Sequence, residues 1–130
     1  MVTIMRESTV KILDDKDMEF VETLRSLEVP RNVATLITFL ANVEEASSRE
    51  IEMGSDLRQP EVSIAMQELQ RRGWVKKRDL KKKGKGRPAH IYTITTDLTK
   101  IMTTFEQEKL KEVESVKKDI SELKNIIQNL

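Results

Sequence analysis

The chain has 130 residues, 38% of them apolar and 35% charged. This balance suits one small core with an extended, solvated appendage. There is no cysteine, which excludes disulfides, thiolate zinc sites and cysteine nucleophiles. No run of about 18 apolar residues occurs, so no transmembrane helix is expected. The first fifteen residues lack the apolar block and small-residue cleavage site of a secretory signal. A cytoplasmic location is therefore expected.

The formal net charge of +1 conceals a strong asymmetry. Residues 71–87 hold ten basic side chains and one acid, Asp79, a local charge of +9 that leaves −8 on the rest of the chain. Basic charge concentrated on an otherwise acidic chain points to a polyanionic partner at one place. The alternative is a solvated surface loop.

Residues 1–13 show no clear period and fit a tail, a short strand or an arm equally well. A first helix starts near Asp14 or Asp15, either of which can accept from free backbone N–H groups. Phe20, Val21, Leu24 and Leu27 form its apolar stripe. Pro30 stops that helix and suits the first turn of the next. There Val33, Leu36, Ile37 and Leu40, widened by Ala34 and Phe39, describe a central core helix.

Ser47-Ser48-Arg49-Glu50 is a capping box that opens a short third helix. Its inward candidates are Ile51 and Met53. Gly54-Ser55-Asp56 ends it, and Leu57 serves as a plug. A fourth helix starts near Gln59 with Pro60 in its first turn. Val62, Met66 and Leu69 face the core. The opposite face carries Gln59, Glu61, Ser63, Ile64 and Gln67, where a solvated face would more often carry Lys and Glu. Gln and Ser can hydrogen-bond to base edges and phosphates, and an exposed isoleucine suits a thymine methyl. Arg71 and Arg72 complement the negative helix end, and Gly73 can cap it.

Residues 74–80 and 89–94 read as two strands. Trp74 or Val75, with Leu80, Ile91 and Ile94, would supply apolar contacts. The intervening Lys81-Lys82-Lys83-Gly84-Lys85-Gly86-Arg87-Pro88 is too long for a tight turn and too charged to be buried. Residues 97–130 contain no glycine or proline and suit a helix about 50 Å long. Val113, Val116, Ile120, Leu123, Ile127 and Leu130 alternate by three and four, as in a coiled-coil seam. Leu98, Met102 and Phe105 form an earlier stripe, and the register slips between Glu106 and Lys111. The seam runs further than a domain this small can cover. Self-association is therefore the expectation, and folding back on the same chain the alternative.

The order helix, helix, helix, turn, helix, strand, basic wing, strand, long helix resembles the winged helix-turn-helix transcriptional regulators of the MarR, ArsR and TrmB-like class. The resemblance covers residues 30–94. It rests on Ser47-x-x-Glu50-Ile51, Leu57-Arg58-Gln59-Pro60-Glu61-Val62-Ser63, Leu69-x-x-x-Gly73-Trp74-Val75, and Gly86-Arg87-Pro88 before Ile91-Tyr92. It implies a mainly α fold with a small β-hairpin wing and a long C-terminal helix. The implied division is an arm or tail (1–13), a DNA-binding domain (14–95) and a dimerisation helix (96–130).

The resemblance also implies double-stranded DNA as partner. Arg58, Gln59, Ser63, Ile64, Gln67 and Arg71 become candidates on a recognition helix in the major groove. Lys81, Lys82, Lys83, Lys85 and Arg87 become candidates on a wing that reaches the minor groove or backbone. Family members are usually dimers, which gives the seam from Val113 to Leu130 its role. One departure is Glu61, with no Lys or Arg between Gln59 and Gln70. Phosphate affinity must then come from Arg58, the helix C-terminus and the wing.

Two other readings of such a chain are a protein-interaction module and a non-specific architectural DNA-binding protein. An enzyme is not expected. His90 is the lone histidine and lies on a strand, and the Gly-x-x-x-x-Gly-Lys-Ser/Thr spacing of a nucleotide loop is absent. No cofactor, metal or membrane contact is implied, and a small-molecule effector is left open.

Overall fold

A computed structural model describes residues 12–80 and 89–130. It comprises two compact units, divided between Thr96 and Asp97. The first unit begins with α1 (Asp15–Ser26), whose N-terminus carries a reciprocal cap. The Asp17 amide donates to Asp14 Oδ1 at 2.9 Å, and the Asp14 amide donates to Asp17 Oδ2 at 3.0 Å. Val21 and Leu24 are buried, but Leu27 is 41% exposed. The sequence stripe overreached there, because Leu27 is already the C-cap. The backbone turns at Glu28 (φ +68°), and Val29 takes the buried position instead.

Pro30 stands at the N-cap of α2 (Arg31–Ala41), one position before the first turn in which the sequence placed it. Every residue from Val33 to Leu40 is buried, and α2 packs against α1, α3, α4 and β3. It is the central helix that its composition implied. Thr38 tolerates burial because its hydroxyl donates to the Ala34 carbonyl at 2.8 Å.

β1 (Ala46–Ser47) leads directly into α3 (Ser48–Ser55), followed by α4 (Gln59–Arg71), β2 (Val75–Leu80) and β3 (Ala89–Ile94). The strands form one antiparallel sheet in the order β1-β3-β2. β2 and β3 pair from Val75↔Ile94 to Leu80↔Ala89. β1 adds only Ala46↔Tyr92 and Ser47↔Ile91. Trp74 and Val75 are both buried, as is Ile91, while Ile94 is half-buried.

α1 and α4 end in the same way. The Val29 amide reaches the Leu24 carbonyl (3.1 Å) and the Glu28 amide the Arg25 carbonyl (2.8 Å). The Trp74 amide reaches the Leu69 carbonyl (3.0 Å) and the Gly73 amide the Gln70 carbonyl (3.0 Å). Both are Schellman motifs, each closed by a buried apolar pair, Leu24 with Val29 and Leu69 with Trp74. The left-handed position is Gly73 (φ +77°) in α4 but Glu28 in α1.

The second unit is α5 (Leu98–Gln128), one continuous helix of 31 residues and about 46 Å long. Along it Val113, Val116, Ile120, Leu123, Ile127 and Leu130 are all exposed, from 40% at Val113 to 97% at Leu130.

Candidate nucleic-acid interface

The site is built on the short link between α3 and α4. Ser47 caps α3 as its sequence implied. The Glu50 amide donates to Ser47 Oγ at 3.2 Å, and the Ser47 amide donates to Glu50 Oε1 at 2.9 Å. Ile51 is fully buried, whereas Met53, the other inward candidate, is 60% exposed. Two residues along a helix is about 200°, so Met53 cannot share the inward face of Ile51. Asp56 ends α3 in the left-handed conformation, and Leu57 is buried as the plug.

Arg58 is the N-cap of α4 and is exposed. Val62, Ala65, Met66 and Leu69 turn inward. A helical repeat of about 100° per residue then places Ile64, Gln67 and Arg71 on the outermost line, with Gln59 and Ser63 along one edge. Ile64 is 62% exposed. Gln59, Gln67 and Arg71 are exposed too, while Ser63 is half-buried. The six sequence candidates on α4 thus share one side of the helix or its start.

Glu61 requires a correction, since the sequence placed it on that outer face. Its carboxylate accepts the Arg58 amide at 3.0 Å and lies 3.7 Å from Arg31 Nη1. Its backbone carbonyl accepts from Asn32 Nδ2 at 3.3 Å. Glu61 therefore caps α4 and ties it to the start of α2. The outermost line of α4 therefore carries no acid, while no Lys or Arg stands between Gln59 and Gln70.

At the other end of α4, Glu68 sits between two arginines. Arg71 meets it with Nε–Oε1 at 2.9 Å and Nη2–Oε2 at 2.5 Å, and Arg72 Nε–Oε2 is 2.7 Å. These hydrogen bonds, from Arg71 first and Arg72 second, lower the Glu68 pKa from 4.5 to about 2. Arg72 also stacks on the Trp74 ring at 4.8 Å, which fixes it at the junction of α4 and β2. Arg71 remains exposed but is already paired with a carboxylate.

The β2–β3 hairpin continues the basic region. Lys76, Lys77 and Arg78 are exposed, and Arg78 reaches across β3 to Glu45 at 2.7 Å. Asp79 and His90 face each other across the ladder and hydrogen-bond at 2.8 Å through His90 Nδ1. His90 is thus a surface residue at the base of the loop. Lys81, Lys82, Lys83, Lys85 and Arg87 lie outside the described residues. Sequence reasoning had counted Lys76 and Lys77 only as charge. The strand register adds that Lys77 shares a hairpin face with His90 and Tyr92.

No protein-family model and no curated protein sequence matches the chain. Solved structures do. A possible transcriptional regulator from Methanosarcina mazei Go1 aligns with a TM-score of 0.56 at 13% identity, over 81% of this chain and 87% of that one. TrmBL2, an archaeal chromatin protein with a novel mode of DNA binding, aligns at 0.51 and 19% identity, over 88% of this chain but 43% of its own. NadR, solved in complex with 4-hydroxyphenylacetate, aligns at 0.50 and 15% identity, over 87% of this chain and 82% of that one. The fold is a winged helix-turn-helix.

In the winged helix-turn-helix frame α3 and α4 are the helix-turn-helix pair, and the β2–β3 hairpin is the wing. The mainly α fold with a small β-hairpin and a long C-terminal helix, expected from the sequence, is the fold observed. Among the described residues no helix is long and apolar enough to cross a membrane.

Proposed function

We propose that this winged helix-turn-helix protein is a dimeric, DNA-binding transcriptional regulator. α4 enters the major groove, the wing reaches the flanking minor groove or backbone, and α5 pairs two copies. The observation that carries the reading is the outer side of α4. It presents an apolar side chain, amides and a hydroxyl, with cations only at its two ends. Amides and a methyl-bearing side chain suit base edges, while the cations suit phosphates. Glu61 does not oppose this, because it is turned toward Arg31.

In this mechanism Ile64 packs on a thymine methyl, and Gln67 and Gln59 reach base edges. Arg58, Arg71 and the wing lysines displace counterions from the backbone. Arg87 inserts where the minor groove is narrow and its potential most negative. Two such units on a palindromic site lie one helical turn or a multiple apart. The descriptions of the structural neighbours as a transcriptional regulator and a DNA-binding chromatin protein accord with this reading.

Titration of selected and random duplexes at two salt concentrations tests it. Affinity should fall steeply with salt, and a selected palindrome should bind at least ~10³-fold more tightly than random DNA. Equal affinity for both would indicate an architectural protein, and no duplex binding would leave a protein-interaction module. Arg87→Ala should weaken A·T-flanked sites more than G·C-flanked ones, and equal losses would remove Arg87 from the minor groove.

A further inference from the structure

The seam on α5 carries information about the direction of pairing as well as its existence. Spacings of three and then four from Val113 assign Val113, Ile120 and Ile127 to the a positions of a heptad. Val116, Leu123 and Leu130 then fall at d. The helix is unbroken to Gln128, so the assignment holds from Val113 to Ile127, and Leu130 stands just beyond the helix end. All six side chains are exposed. The positions that flank the seam follow. The g positions before each a are Glu112, Asp119 and Ile126, and the e positions after the first two d residues are Lys117 and Lys124.

We infer that the occupant of this face is a second copy of α5 lying parallel and in register. The inference rests on the reading of α5 as a dimerisation helix and fixes its geometry. In a parallel pair, each g residue lies beside the e residue of the partner's following heptad. Glu112 meets the partner's Lys117 and Asp119 meets the partner's Lys124, and the two-fold axis repeats both contacts. All four contacts join opposite charges. In an antiparallel pair, g lies beside g and e beside e, so that lysines meet lysines, acids meet acids or Ile126, and no contact joins opposite charges.

The core positions point the same way. β-branched residues occupy every a position, and within the helix Leu123 fills one of the two d positions, a pattern that favours parallel two-stranded coils. Within one chain Lys117 Nζ lies 3.6 Å from Glu114 Oε1, and Lys109 Nζ lies 3.0 Å from Glu112 Oε2. These are solvent-facing i,i+3 pairs of small worth. They leave Lys117 and Glu112 on the rim of the seam, within reach of a partner.

The absence of cysteine makes disulfide trapping a clean test. Val116→Cys and Leu123→Cys, each made alone in the full chain, place one thiol at a d position. Facing d positions in a parallel, in-register pair meet disulfide geometry at every heptad. Sedimentation of the wild-type protein should show a dimer, and both variants should cross-link almost completely in a glutathione buffer. Antiparallel helices cross at one depth only, so a dimer in which at most one variant cross-links overturns the parallel assignment and leaves dimerisation standing. A wild-type monomer overturns both.

A second arm avoids the core. Lys117→Glu with Lys124→Glu converts all four parallel contacts to like charge and should loosen the dimer about tenfold or more at low salt. In an antiparallel pair it would only exchange lysine facing lysine for glutamate facing glutamate. An unchanged dimer Kd therefore also overturns the assignment.

Discussion

Glu68 shows how one carboxylate can set the behaviour of a whole patch. It holds Arg71 and Arg72 at the end of α4, and both arginines depress its pKa to about 2. A folded-state pKa below the ordinary glutamate value means that the ionised pair stabilises the fold fully above about pH 4.5. That contribution disappears as pH falls toward about 2. The carboxylate is 32% exposed, so water screens the interaction and its worth at neutral pH is about 0.5 kcal/mol. Urea unfolding of wild type and Glu68→Gln should therefore differ by about that amount from neutral pH down to about 4.5, and the gap should close near pH 2. A gap that stays constant across that range would show that the arginines do not depend on the charge. On the proposed DNA-binding function, the same variant removes a carboxylate that competes with phosphate for Arg71, so its affinity should rise and depend more steeply on salt, by up to about one unit of slope.

The elements of the domain are joined by caps, and the caps differ in how well the residue fits the conformation. Gly73 and Glu28 occupy the same left-handed position in two Schellman motifs, at φ +77° and φ +68°. A side chain there costs about 1 kcal/mol. A Cβ built on Gly73 meets nothing within 4 Å, so Gly73→Ala should cost about 1 kcal/mol through the backbone alone. Glu28→Gly should raise stability by about 0.5–1 kcal/mol at the matching site. Thermal or urea unfolding checks both, and a neutral Gly73→Ala would show that the turn relaxes. Gly73 was readable as a cap because glycine advertises the conformation. Glu28 was not, since nothing in its chemistry asks for positive φ. The tertiary demand to bury Val29 against Leu24 sets it.

For the whole molecule, the α5 seam and the basic wing make a division of labour. On the proposed function, the wing and the ends of α4 supply the cations that give affinity, and pairing through α5 would double the bound surface. Ile120→Asp puts a charge at the middle a position of an exposed seam, where it should damage the proposed pairing. Dimers should dissociate, and affinity for a palindrome should fall to that of a single half-site, a loss of at least about 100-fold by mass action. Duplex titration with whole and half sites checks this. Equal affinity of the variant and wild type for the palindrome would mean that the copies bind DNA independently.

Much of this protein is determined by its sequence alone, because the signals are local. Capping boxes, helix-opening prolines, the stripe of α2, the strand β3 and the heptads of α5 need only neighbours a few residues away. The exposed side of α4 was legible for the same reason. What the tertiary structure decided involves residues far apart in the chain. β1 is two residues long, too short to carry a pattern, and exists because β3 offers it a ladder. Leu27 leaves the core because α1 ends there and the turn at Glu28 buries Val29 in its place. Glu61, placed by the sequence on the outer face of α4, is drawn to the start of α2 because Arg31, thirty residues earlier, lies beside it. Burial and charge pairing act through space, and only the folded chain brings these residues together.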